Sequence, residues 1–168
     1  PPAIMARLLQ TNLEQNIGYG QDDYCRQAAD LIRAKAQAPQ AAVHFLVGGT
    51  QTNLTVIASA LKPYQCVISA DSGHINVHET GAIEATGHRV LTVPATEGKI
   101  SAAQVQKVCD AHWAEDNPEF DAQPKMVYIS FPTEYGTLYT KQELQDLRDV
   151  CRKNNLFLFA DGARLGYA

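Results

Sequence analysis

"LFLFADGAR" (156–164) sets five apolar residues, Leu156 to Ala160, directly before an aspartate, Asp161, and an arginine, Arg164. An apolar run without polar alternation suits a strand buried on both faces, as in a parallel sheet covered by helices. Runs of the same kind occur upstream: "AAVHFLV" (41–47), "QCVISA" (65–70), "HRVLTVPA" (88–95) and "KMVYISFP" (125–132). Segments of helical periodicity separate them, at 50–62, 75–87 (broken by Gly81), 101–116 and 140–155. Ser101 and Thr140 stand as caps for the last two, and right-handed crossovers then place helices on both faces. The chain is predicted to be an α/β protein, a three-layer α/β/α sandwich around a mostly parallel sheet of five strands.

Ahead of the first strand, 2–15 reads as a short helix and 22–37 as a second one, opened by Asp22 and Asp23 and closed before Pro39. The expected organisation is a helical segment over 1–40 and a sheet domain over 41–168. Both ends read as cut. There is no initiator Met, and an α/β chain normally continues into a helix after such a strand.

Composition narrows the classes. The 168 residues are 45% hydrophobic and 19% charged, with a formal net charge of -4, which is ordinary for a globular protein. That charge argues against broad attraction to nucleic acid or anionic membranes. No apolar run approaches the ~20 residues of a membrane helix, and "PPAIMARLLQ" has no signal-peptide pattern. Cys25, Cys66, Cys109 and Cys151 form no C-x-x-C pair. Each reads as a small buried apolar residue in a reducing compartment, so the expected location is cytoplasmic.

Ligands of an open parallel sheet bind outside the carboxyl ends of the strands. After the first predicted strand, "VGGTQTN" (47–53) places Gly48, Gly49, Thr50 and Gln51 at a helix N-terminus, a site suited to phosphate. The plainer reading is a glycine-turned helix start with Thr50 as its cap. Neither a Walker loop nor G-x-G-x-x-G is present. After the second, "SGHINVHE" (72–79) holds His74 and His78 at i, i+4. That spacing can bind zinc, but H-E-x-x-H and a third ligand are missing, so no metal site is expected. His74 can instead lie against an aromatic cofactor, move a proton, or simply be solvated or cap its helix. After the fifth, Asp161 at the end of an apolar strand calls for a cation. Arg164 is one candidate, as a structural ion pair. A protonated heterocycle is the other, with Arg164 then free for a substrate carboxylate, which its planar fork binds bidentately.

In that order, "FLVGGTQTN", "SADSGHINVHETGAIEATGHRV", "YISFPTEYGTLYTKQEL" and "LFLFADGARLGYA" resemble the threonine aldolase / β-eliminating lyase family of the aspartate-aminotransferase fold (fold type I). "YGQDDY" (19–24) resembles the family's N-terminal Y-G-x-D segment. The resemblance implies pyridoxal 5'-phosphate as cofactor and a small amino acid as substrate. It implies that Gly49 and Thr50, assisted by Gln51, hold the phosphate, and that His74 stacks on the pyridine ring and takes part in proton transfer. It further implies that Asp161 pairs with the pyridine nitrogen and that Arg164 faces the substrate carboxylate. Thr133 and Glu134 fall in the family's loop near the cofactor. The implied activity is that of a low-specificity threonine aldolase, with β-elimination on another amino acid as the near rival. A non-catalytic phosphate-binding module is the rival from another class. A homodimer or homotetramer is implied at full length.

The same resemblance places the family's Schiff-base lysine on a later strand, past D-G-A-R. None of Lys35, Lys62, Lys99, Lys107, Lys125, Lys141 and Lys153 has that context. Residues 41–168 are therefore expected to be a partial cofactor-binding large domain, without its later strands and small domain. The 168 residues alone are expected to be inactive and to bind cofactor weakly.

Overall fold

The computed structural model describes residues 1–167. It divides into two units, Pro1–Leu46 and Val47–Ala168. In the first, helix α1 spans Pro2–Thr11, shorter than the predicted 2–15, and α2 spans Asp23–Lys35. Asp22 caps α2 as its sequence suggests, accepting the Cys25 N–H at 2.8 Å. Ile4, Leu8 and Leu9 of α1 are exposed.

The strand predicted at 41–47 does not form. Phe45 is 50% and Val47 94% exposed, and no strand among the described residues pairs with this run. Backbone N–H and C=O groups need a ladder partner, and an apolar run says nothing about whether one is present. Among the described residues the sheet therefore has four strands, not five.

Those strands are β1 (Gln65–Ala70), β2 (Val90–Val93), β3 (Gln123–Ser130) and β4 (Phe157–Asp161). They lie in the order β2-β1-β3-β4, and every pair is parallel. Alternation along the strands divides their side chains between two cores. Val67, Met126, Tyr128 and Phe159 meet Ile57 of helix α3 (Gly49–Ala60). Ile68, Val127 and Ile129 meet Val105 and Cys109 of one helix and Leu147 and Cys151 of another on the opposite face. This is the predicted three-layer sandwich. Each fully buried Ile, Val or Leu contributes about 1.5–3 kcal/mol.

Between β1 and β2 the chain makes only a single helical turn, α4 (His74–Val77), and a 3-10 turn at Glu84–Thr86. The helix predicted over 75–87 is broken because Thr80 and Gly81 both take left-handed backbone, with φ of 50° and 76°. Helices α5 (Ala102–Trp113) and α6 (Lys141–Lys153) form as predicted, with capping boxes at Ser101 and Thr140. Helix α3 starts at Gly49 with Gly48 as N-cap and no side-chain cap, so Thr50 lies in the first turn rather than capping it. The chain runs from β1 out to β2, then back past β1 to β3. The switch between β1 and β3 opens a crevice at their carboxyl ends.

Lys99 Nζ lies 2.7 Å from Glu143 Oε1. With the Thr140 cap assisting, that lysine holds the Glu143 carboxyl at about 2. A carboxyl lowered on folding stabilises the fold above its unfolded pKa and loses that contribution as pH falls through the folded value. Glu143→Gln keeps the capping box and removes the charge. Denaturant unfolding should therefore show a deficit against the parent that is full above about pH 5 and gone near pH 2.

Cys66, Cys109 and Cys151 are buried, as predicted, whereas Cys25 is partly exposed. Burial pushes the Cys66 and Cys151 thiols up to about 12. A thiol-reactive disulfide reagent at pH 8 should modify Cys25 first and reach the other three only on unfolding.

Candidate functional site

Two strand ends and two helix starts converge on a cleft of about 270 Å³. Gly49, Thr50 and Asn53 line it from α3, His74 from α4, and Ser130 and Asp161 from the ends of β3 and β4. Glu134 and Arg164 complete the rim with Ala163. A larger groove of about 520 Å³ lies by Tyr64, Trp113 and Gln123, at the other ends of the strands. Ligands of an open parallel sheet bind at the carboxyl ends instead, so size does not select the site.

Asp161 is the last residue of β4, on the face it shares with Phe159 and, across the ladder, Ser130. Its Oδ2 accepts from the Tyr128 hydroxyl at 2.8 Å and from Asn53 Nδ2 at 3.0 Å. Its Oδ1 accepts the Ala163 N–H at 3.1 Å. Burial, with the negative charge of Asp161 adding to it, raises the Tyr128 hydroxyl well above its ordinary range, so Tyr128 stays an O–H donor. The carboxylate is thus fixed as an acceptor, facing a cleft.

Asn53 stands one turn beyond Gly49 on α3 and is 2% exposed. The same Nδ2 that reaches Asp161 also donates to Glu79 Oε1 at 2.6 Å. Glu79 Oε1 lies 2.7 Å from His74 Nδ1. The Glu79 side chain is fully buried, and its Oε2 has no partner. His74, Glu79 and Asp161 offer ligand atoms within 4.8 Å of one another, the one such group among the described residues. The Asn53 amide donates to both carboxylates. His78 is exposed, its ring centroid 5.4 Å from that of His74, and does not line the cleft.

His74 owes its place to Gly73. A Cβ there would lie 2.2 Å from Ser69 Oγ and 3.0 Å from the Ala70 carbonyl. Only glycine lets the chain turn so tightly off β1, and the turn sets the ring beside the cleft.

The predicted residues divide. Gly49, Thr50, His74, Asp161 and Arg164 come together. Gln51 does not line the cleft; its Oε1 accepts the Val47 N–H at 3.1 Å. The Asp161–Arg164 ion pair is absent. Arg164 donates instead to Glu134 Oε2 at 3.1 Å, leaving Asp161 without a cationic partner among the described residues. Thr133 is buried, and its Oγ1 organises the turn through Thr137 Oγ1 at 2.6 Å rather than facing the cleft. Sequence reading missed Asn53, Glu79, Tyr128 and Ser130. The available signals were the four-residue step from Gly49 to Asn53 and the period of two that aligns Tyr128 with Ser130.

The profile of the β-eliminating lyase family matches residues 1–168. A low specificity L-threonine aldolase of Pseudomonas sp. (strain NCIMB 10558) is 30% identical, over 99% of this chain and 47% of the relative. The solved threonine aldolase of Leishmania major is 47% identical with a TM-score of 0.92, over 98% of this chain and 47% of that one. Tyrosine aminotransferase of Leishmania infantum has a TM-score of 0.72 at 10% identity, over 95% and 43%, a likeness of fold alone. The chain thus spans about half the length of the relatives it matches. Its sheet and helical layers have the fold type I architecture, and the chain belongs to the β-eliminating lyase family.

Proposed function

We propose that the protein carrying this chain is a pyridoxal-phosphate-dependent lyase of amino acids, and specifically a low-specificity threonine aldolase. It would split a β-hydroxy amino acid into glycine and an aldehyde. The observation that carries the reading is the Asp161 carboxylate, held by Tyr128 and Asn53 in a cleft that the first turn of α3 also lines. The names of the matching relatives, low specificity L-threonine aldolases, support it.

The residues fit that cofactor. Asp161 lacks a protein cation among the described residues, and a protonated ring nitrogen is the complement it needs. A Cβ at Gly48 or Gly49 would meet nothing within 4 Å. Packing therefore does not demand glycine at either position, and bare backbone there suits a phosphate approaching the free N–H groups of α3. In this reading Gly49 and Thr50 hold the phosphate, with Gln51 bracing the loop before the helix. His74 lies against the ring and takes part in proton transfer. Asp161 keeps the ring nitrogen protonated, and Arg164 receives the substrate carboxylate. When bound, the cofactor takes up the electron pair left at the substrate α-carbon. Residues 41–168 are then part of a cofactor-binding large domain preceded by the helical segment 1–40. The protein at full length is proposed to be a cytoplasmic homodimer or homotetramer.

Assaying the full-length protein with threonine, and separately with amino acids that bear a β-leaving group, decides between aldol cleavage and β-elimination. Asp161→Asn keeps the shape and removes the charge. A charge pair at ~4 Å in an effective dielectric of ~20 corresponds to about 4 kcal/mol. The expected loss in kcat is on the order of 10²–10³-fold with the circular dichroism unchanged. Near-parental turnover would show that Asp161 does not hold the ring nitrogen. Gly49→Val places two methyl groups where the phosphate is proposed to sit. Cofactor titration followed by absorbance should show an affinity weakened about tenfold or more, and an unchanged affinity would refute the phosphate site.

A further inference from the structure

We propose that Glu79 is the positioning residue of the site: it fixes His74 as the Nδ1–H tautomer and leaves Nε2 as the proton acceptor for the substrate hydroxyl. The catalytic half of this rests on the aldolase reading; the tautomer half does not.

An ionised carboxylate can only accept hydrogen bonds. Glu79 Oε1 already accepts from Asn53 Nδ2, an amide nitrogen that can only donate. With Glu79 ionised, the 2.7 Å contact to His74 therefore requires a proton on Nδ1. A neutral imidazole with its proton on Nδ1 has an unprotonated Nε2. Among the described residues Nε2 has no hydrogen-bond partner, and His74 lines the cleft.

The burial of Glu79 adds a second reason. Its side chain is fully buried, its Oε2 has no partner, and no lysine or arginine among the described residues pairs with it. A buried carboxylate so thinly compensated is stabilised when a positive charge forms beside it. An imidazolium at His74 supplies that charge when Nε2 takes a proton. In the step, the β-hydroxyl O–H bond breaks and an Nε2–H bond forms. The oxygen's electron pair makes the carbonyl of the aldehyde as the Cα–Cβ bond breaks, and the bond's own pair stays with the α-carbon and passes to the cofactor. Glu79 touches neither substrate nor cofactor in this scheme and acts through the ring it holds.

The test uses the full-length protein with ¹⁵N-labelled histidine, before cofactor is added, at about pH 9, above the ordinary histidine range. The His74 signals are assigned by their loss in His74→Asn. The expected spectrum has the proton on Nδ1 and none on Nε2. Glu79→Leu, which removes the acceptor, should move the proton to Nε2 and lower kcat on the order of 10²-fold with little change in KM. Glu79→Gln, whose amide oxygen can still accept but carries no charge to stabilise the imidazolium, should keep the Nδ1 proton and lower kcat by less than Glu79→Leu does. A parental spectrum with the proton on Nε2 overturns the proposal, and needs no variant that must fold. So does a folded Glu79→Leu protein that retains both tautomer and kcat. Failure of the parent to cleave threonine while its Nδ1 proton is present would instead refute the aldolase reading.

Discussion

Two carboxylates share one amide. Glu79 and Asp161 both lie inside the carboxyl edge of the sheet, and Asn53 Nδ2 reaches each of them. Burying an anion costs several kcal/mol unless its oxygens are met. Asn53 meets one oxygen of each, and Tyr128 and the Ala163 N–H meet more of Asp161. The consequence is structural before it is chemical. Helix α3, the segment after α4, the middle of β3 and the end of β4 are tied at one point, and moving any of them strands an acid. The crevice at the topological switch is held open by polar bonds rather than filled by side chains.

The parts of this arrangement legible in the sequence are those that are locally anomalous. An aspartate closing the run "LFLFA" contradicts its neighbours, and that contradiction marks Asp161 as a candidate site residue. Glycines before a polar helix start mark α3 in the same way. Strands β1, β3 and β4 were readable because their apolar runs are unbroken. The run at 41–47 has the same composition and makes no strand, since hydrophobicity reports a wish for burial and not a neighbour to pair with. Asn53 and Glu79 were unreadable for a different reason. They are ordinary polar residues in polar company, and Asn53 bonds across 26 residues to Glu79 and 108 to Asp161. No local window holds both ends of such a bond.

The rim of the cleft is built differently from its floor. Glu79 and Asn53 are buried, whereas Arg164 is half-exposed and, among the described residues, tied only to Glu134 on another loop. The Glu134 side chain is 13% exposed and the Arg164 side chain 49%, so the pair joins a largely buried carboxylate to an open guanidinium. A guanidinium has five N–H donors, so one contact to Glu134 leaves others facing solvent. Floor and rim divide the labour: one is fixed by burial, the other keeps donors open.

Gly73 gives that division a further meaning. Because a single methyl there would strike both Ser69 and the Ala70 backbone, the distance between the end of β1 and His74 cannot be adjusted by small steps. Substitutions that retune the pocket for a bulkier or shorter side chain must therefore accumulate on the loops that carry Glu134 and Arg164. The β1 turn acts as a fixed datum for the floor, and the rim loops are the part of the cleft left free to vary.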